Sequence, residues 1–245
     1  MSASQVGFIT MAFGDQRYVE QAVNLALSVK RHMPHQKIAL ITDREERVAP
    51  FDEQVRMEDA AVAGTVRKRK MYEHSPYEET LFIDSDCLVT RDCSPQLEQM
   101  RGWNFSPVVN TYLVAGDRDL WLRDVGDALE KVGGNRFPKF NGGVYFFRKG
   151  AQAESVFGEA LEILDRRDEL GILDFDRAGP GEETVLGLAM AKLGLHDFYD
   201  DGGFLMRTPL PATGPIHLDI LGGECWFEKS QKRVEPAIIH FCGEW

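Results

Sequence analysis

Short continuous apolar runs alternate with stretches whose apolar residues recur every three or four positions. Residues 5–12 (QVGFITMA) form one such run, and Phe13-Gly14-Asp15 breaks it. A buried strand is expected there, followed by a turn with Asp15 as helix N-cap. Over 18–33, Val19, Ala22, Val23, Ala26, Val29 and Met33 follow helical spacing, and Pro34 stops the pattern. Residues 37–42 (KIALIT) give the next strand, which ends at Asp43. Strand, helix and strand within this span make a βαβ unit and open a parallel sheet. Ligands of such sheets sit outside the carboxyl ends of the strands, which singles out residues 10–15 and Asp43. Both also suit plain turns and caps.

Residues 60–74 read as a helix carrying Arg67, Lys68, Arg69 and Lys70. Such runs are most often solvated faces, yet this one feeds straight into the next strand. Arg67 and Lys70, three apart, share a face and are the cations expected to meet a phosphate. The strand that follows, residues 81–89 (LFIDSDCLV), carries Asp84 and Asp86 between two apolar runs. In extended backbone, side chains two apart point to the same side. The two carboxylates therefore converge on one hard cation or polar ligand, since like charges that close repel unless neutralised. The alternative is a solvated turn.

Beyond Thr90 the pattern loosens, and residues 101–136 read as irregular, with Gly133-Gly134-Asn135 as a loop. Residues 140–147 (FNGGVYFF) read as a loop running into a strand, the glycines allowing close approach of a ligand or a bulge. An amphipathic helix is expected over 151–166, and another from Glu182-Glu183-Thr184 through Lys192, with Gly194 as cap. Asp200-Asp201-Gly202-Gly203 forms an acidic loop, and a final apolar strand delivers His240 to its end. A lone histidine there is more often structural than a ligand. No repeat, linker or break divides the chain, so one domain is expected over 1–245.

Composition adds exclusions. A net charge of −11 argues against nucleic acid as partner, because such proteins usually carry a basic face. Any anionic ligand needs a metal or a local basic cluster. The four cysteines, Cys87, Cys93, Cys225 and Cys242, lack zinc-type pairing and read as reduced thiols of a cytoplasmic protein. No secretory signal is expected from the first residues, and no apolar stretch reaches membrane-spanning length.

Taken in order, these pieces resemble the glycosyltransferases of the GT-A fold, and most closely family 8, the glycogenin and lipopolysaccharide galactosyltransferase group. The resemblance rests on the first strand, Asp84-Ser85-Asp86, the segment FNGGV and the closing His240-Phe241-Cys242-Gly243. It implies an α/β fold, a single GT-A domain with a Rossmann-like mixed sheet flanked by helices. The nucleotide-binding part would span about 1–90 and the sugar and acceptor part about 91–245. It implies a hexosyltransferase that uses a nucleotide-diphosphate sugar, with UDP as carrier, and a manganese or magnesium ion held by Asp84, Asp86 and His240. Carboxylates with an imidazole suit manganese. Thr10, Ala12, Tyr18 and Asp43 match the segments that cradle base and ribose, with Arg67 or Lys70 near the phosphates. Asn141 matches an asparagine that bonds the donor sugar. Glu182 and Glu183 lie where the family carries an acidic residue beside a glutamine, and the glutamine is absent here. The family motif also continues past its glycine to Lys-Pro-Trp, whereas this sequence stops at Glu244-Trp245. Either a tail is missing, another cation substitutes, or the diphosphate is held more weakly.

If transfer retains configuration, as the resemblance implies, the departing phosphate can take the acceptor's proton. If it inverts, Glu182, Glu183 or Asp201 is the candidate base. The acceptor, a glycan, lipid or protein, is not named by the sequence. Two competitors are a haloacid-dehalogenase-like phosphohydrolase using Asp84 and Asp86, and a non-catalytic nucleotide-sugar binding protein. The phosphohydrolase motif normally sits on the first strand, and here a whole βαβ unit precedes it.

Overall fold

The computed structural model describes residues 6–58, 64–175, 179–200, 202–211 and 214–242. The first apolar run is strand β1 (Gly7–Ala12), and the helical spacing after it is α1 (Gln16–His32). Asp15 caps that helix, its Oδ1 accepting the Arg17 N–H at 2.8 Å. Strands β2 (Ile38–Thr42) and β3 (Glu53–Arg56) then pair in parallel beside β1.

The expected helix over 60–74 is instead a 3-10 segment, Gly64–Lys70, that runs into a single α-turn, α2 (Met71–His74). Ala60 lies outside the described residues. Strand β4 (Glu79–Ile83) follows and pairs in parallel with β1 on the side opposite β2. Asp84 and Asp86 stand in the turn between β4 and the short β5 (Cys87–Val89), which leads to α3 (Ser94–Met100).

The loosely patterned region contains a nine-residue strand, β6 (Phe105–Leu113), and the helix α4 (Val125–Val132). Irregular register around Pro107, Val109 and Thr111 accounts for the missing strand pattern in β6. Segment FNGGV is not a loop. It lies inside β7 (Phe137–Arg148), which pairs antiparallel with β4 on one side and β6 on the other. Helices α5 (Ala151–Asp165) and α6 (Glu182–Lys192) follow close to their expected bounds.

The main sheet thus runs β3-β2-β1-β4-β7-β6, mixed in direction. Both faces are covered. Ile9, Phe82, Tyr145 and Phe147 pack with residues of α4, α5 and α6, whereas Phe8, Leu40, Leu81 and Phe146 pack against α1 and α3. That alternation along each strand explains the near-continuous apolar runs. A second small sheet joins β5, β8 (Met206–Arg207) and β12 (Ile238–His240). A third holds β9 (His217–Asp219), β10 (Glu224–Lys229) and β11 (Lys232–Val234). Among the described residues no helix is long and apolar enough to cross a membrane. All four cysteines are free thiols.

Candidate active site

The chain leaves β1 towards β2 on one side, and β4 takes the place on the other side. Strand order therefore reverses between β1 and β4, and a crevice opens outside their carboxyl ends. A cleft of about 340 Å³ lies there, walled by Ala12, Phe13, Tyr18, Arg67, Lys68 and the Asp84–Asp86 turn. The guanidinium of Arg67 sits 4.9 Å from the centre of the Phe13 ring, and Tyr18 is partly exposed at the rim. Thr10 is fully buried in β1, away from this lining. Asp43 ties the loop after β1, its Oδ2 accepting the Gly14 N–H at 3.0 Å. Lys70 ends the 3-10 segment and does not wall the cleft.

Long-range strand pairing delivers the histidine. Strand β12 runs antiparallel to β5, with His240 opposite Cys87, so its ring arrives beside the carboxylates that precede β5. The Nε2 atom lies 3.0 Å from Asp86 Oδ1 and 3.7 Å from Asp84 Oδ2. Atoms of Asp86, Cys87 and His240 gather within 4.8 Å of one another, a group able to hold a metal ion.

Lys68, one of the two cations of the basic run not singled out from the sequence as a phosphate contact, is largely enclosed between two acids. Its Nζ pairs with Asp84 and donates to Glu182 Oε1 at 2.8 Å. Burial pulls its pKa down, but the charges of Asp84 and Glu182 outweigh that and raise it, so the ammonium is retained. The Asp84 carboxyl is pushed up by burial and by Asp86 and Glu182, against the pull of Lys68 and His240. Glu183 Oε2 accepts the Gly142 N–H at 3.0 Å, and burial raises its pKa as well. Lys139 stands 3.8 Å from Glu183 and pairs more closely with Asp119, at 2.7 Å.

The two glycines of FNGGV now have a physical cause. A Cβ on Gly142 would lie 2.4 Å from Glu182 Oε1, and one on Gly143 would lie 2.5 Å from His240 Nδ1. Side chains from α6 and β12 both press onto the β7 backbone, and only glycine leaves room. Asn141 meets both the histidine and Cys242, whose thiol is 3.8 Å from the amide nitrogen and 3.8 Å from His240 Nδ1. Asp201 and Gly243 lie outside the described residues.

Whether these residues fit a metal can be tested on the hydrogen bonds of His240. Its Nδ1 faces Asn141 Oδ1 at 2.6 Å, and its Nε2 faces Asp86 Oδ1, so both ring nitrogens point at acceptors. The two carboxylates favour a doubly protonated ring. Burial alone would lower the imidazole's pKa, but the hydrogen bond to Asp86, the Cys242 contact and the charges of Asp84 and Asp86 raise it to about 10. A divalent ion at Nε2 would replace that proton, with Nδ1–H on Asn141 fixing the tautomer, the usual arrangement behind a metal-bound histidine. The donor set fits.

No protein-family model matches this chain, and no curated protein sequence does. Solved structures do. An active-site mutant of LgtC superposes with a TM-score of 0.60 at 16% identity, covering 97% of this chain and 88% of the other. The galactosyltransferase LgtC in complex with donor and acceptor sugar analogues gives 0.59 at 15%, covering 96% and 87%. The bifunctional glycosyltransferase WbbM gives 0.57 at 13%, covering 98% of this chain and 46% of WbbM. The fold is of the GT-A type. At these identities the likeness extends to architecture, and the chemistry must come from the residues.

Proposed function

We propose that this chain is a metal-dependent glycosyltransferase that moves a hexose from a nucleotide-diphosphate sugar, with UDP as carrier, to a glycan, lipid or protein acceptor. One observation carries the reading: Asp84, Asp86 and His240 converge at the switch-point crevice of a GT-A fold, beside a cleft able to take a nucleotide. The free thiols fit a reducing compartment, in keeping with a cytoplasmic enzyme.

In this reading Asp84, Asp86 and His240 would hold a manganese or magnesium ion. When bound, the ion supplies positive charge to a leaving diphosphate. The protein's own residues do the rest. Phe13, Tyr18 and Arg67 wall the space for base and ribose, with Ala12 at its floor. Asn141 orients His240 and faces the sugar. Lys68 neutralises Asp84 and Glu182 and keeps the second of these aligned beside β7. Glu182 and Glu183 stand near the reacting carbon. Retention needs no strong base, because the departing phosphate can take the acceptor's proton. The phosphohydrolase alternative loses ground, since its nucleophilic aspartate would be Asp84, which follows β4 rather than the first strand, where that motif normally sits.

A thermal-shift panel of nucleoside diphosphates and nucleotide sugars, with and without manganese, tests the proposal. UDP should raise Tm only when the ion is present, as a ligand of the folded state must. No metal-dependent shift with any nucleotide would sink it.

A further inference from the structure

A second cavity, of about 470 Å³, opens on the other side of Asn141, towards β8 and the β10–β11 hairpin. Its wall holds Asn110, Asn141, Arg207, Thr208, Lys229 and Lys232. Three cations in one pocket run against the composition of a chain whose net charge is −11. Among the described residues none of the three forms an ion pair with a carboxylate. Arg207 donates to Asn110 Oδ1 and to the Gly202 carbonyl, each at 2.8 Å. Lys229 donates to the carbonyls of Thr208 at 2.7 Å and Leu210 at 2.9 Å.

Local structure brings these charges together. Lys229 and Lys232 are direct cross-strand partners, a like-charged pairing that destabilises a hairpin. The turn between them puts Ser230 at φ 51° and Gln231 at φ 61°, a left-handed conformation that non-glycine residues rarely adopt. The guanidinium of Arg207 packs directly on Gly203, where φ is 89° and a Cβ would come within 1.8 Å of the guanidinium carbon. Positive φ at both Ser230 and Gln231 is the turn a two-residue hairpin requires, and it holds Lys229 and Lys232 side by side in the cavity wall. Anions are what such a site lacks.

We propose that this pocket receives a negatively charged group, a phosphate ester or a carboxylate, carried by the acceptor. The inference rests on the glycosyltransferase reading for the word acceptor. The donor diphosphate belongs with Asp84, Asp86 and His240, and the cationic pocket lies across Asn141 from them. A sugar anchored there by its anionic group would present a hydroxyl towards the Asn141 side. Arg207 supplies a planar fork that matches a phosphate or carboxylate, and the lysines supply point charges.

Calorimetric titration of the protein tests this with three probes: glucose 6-phosphate, glucuronate and glucose. Each is run with saturating UDP and manganese, and again without them. The expected result is binding of one or both anionic probes and not of glucose, in both conditions, weakening as salt is added. The phosphate and carboxylate arms tell the two sources apart. Lys232→Ala, at an exposed position, and Arg207→Ala should each weaken the anionic probe about ten-fold. Circular dichroism confirms that each variant is folded, and Arg207→Lys should restore part of the affinity. The proposal is overturned if glucose binds as well as the anions, if the variants bind unchanged, if no anionic probe binds, or if UDP displaces the probe. If UDP itself fails to bind, the glycosyltransferase reading falls, and the titration without nucleotide still decides whether the pocket takes anions.

Discussion

His240 is oriented by Asn141. The Gly143 N–H donates to Asn141 Oδ1 at 3.0 Å, and a backbone N–H can only donate, so that atom is the amide oxygen. The facing His240 Nδ1, 2.6 Å away, therefore carries a hydrogen and donates it. Nε2 is left pointing at Asp86. A residue that the family resemblance implies for the donor sugar thus has a second proposed task, fixing the tautomer of the proposed metal ligand.

Removing that orienting bond should weaken the metal site without dismantling the fold. Asn141→Ala is expected to lower manganese affinity about ten- to a hundred-fold, the usual cost of losing such a partner. Asn141→Asp, which keeps the acceptor, should lose less. Calorimetric titration with manganese alone measures both, and equal affinity for all three proteins would show that His240 needs no help from Asn141.

Lys68 shares its charge between Asp84 and Glu182, with little exposure of any of the three. Lys68→Met leaves two largely enclosed carboxylates without their cation. Loss of one partner from a buried pair commonly destabilises by about 3 kcal/mol. Urea denaturation of the metal-free protein should show a loss of that order, with part of it recovered on adding manganese. A variant as stable as the parent would mean that Asp84 and Glu182 take up protons or water at no cost.

Gly143→Ala should be felt at the histidine. Its Cβ would fall 2.5 Å from Nδ1, and the ring cannot retreat without breaking its bond to Asn141. Overpacking of this kind costs about 1–3 kcal/mol, and displacement of the ring should lower metal affinity as well. Gly158→Ala in α5 is the control, because nothing lies within 4 Å of its Cβ. That change should leave metal binding alone and stabilise the helix by up to about 1 kcal/mol. Unchanged metal affinity in Gly143→Ala would count against the placement of the histidine.

These positions show how far the sequence could be read. The β1–α1–β2 unit was legible because its apolar runs and helical spacing are local signals, and Asp84 with Asp86 stood out between two such runs. Their meeting with His240 depends on β12 pairing with β5 across some 150 residues, which no local pattern carries. The resemblance supplied that link. Gly142 and Gly143 read as a loop because glycine weakens a strand, and the compensating approach of Glu182 and His240 is tertiary. In the basic run, spacing marks Arg67 and Lys70 as neighbours but cannot say that Lys68 turns inward. The pocket of Arg207, Lys229 and Lys232 gives no sequence signal at all, since its cations come from three short strands, two of them joined by a tight turn.

The pKa of His240 sets the pH dependence of the site. It is raised above its unfolded value, so the charged ring stabilises the metal-free fold fully below about pH 6.5. That contribution is lost as pH rises through the folded value of about 10. Metal at Nε2 must displace the same proton. Between these limits manganese affinity should therefore climb, by about ten-fold per pH unit while one proton is exchanged. Calorimetry at pH 7.5 in two buffers of different ionisation enthalpy should show at least one proton released per ion, and His240→Ala should release one fewer. If the parent protein binds manganese with no proton release at that pH, His240 is neither protonated beforehand nor displaced by the ion, and its assignment as a ligand fails.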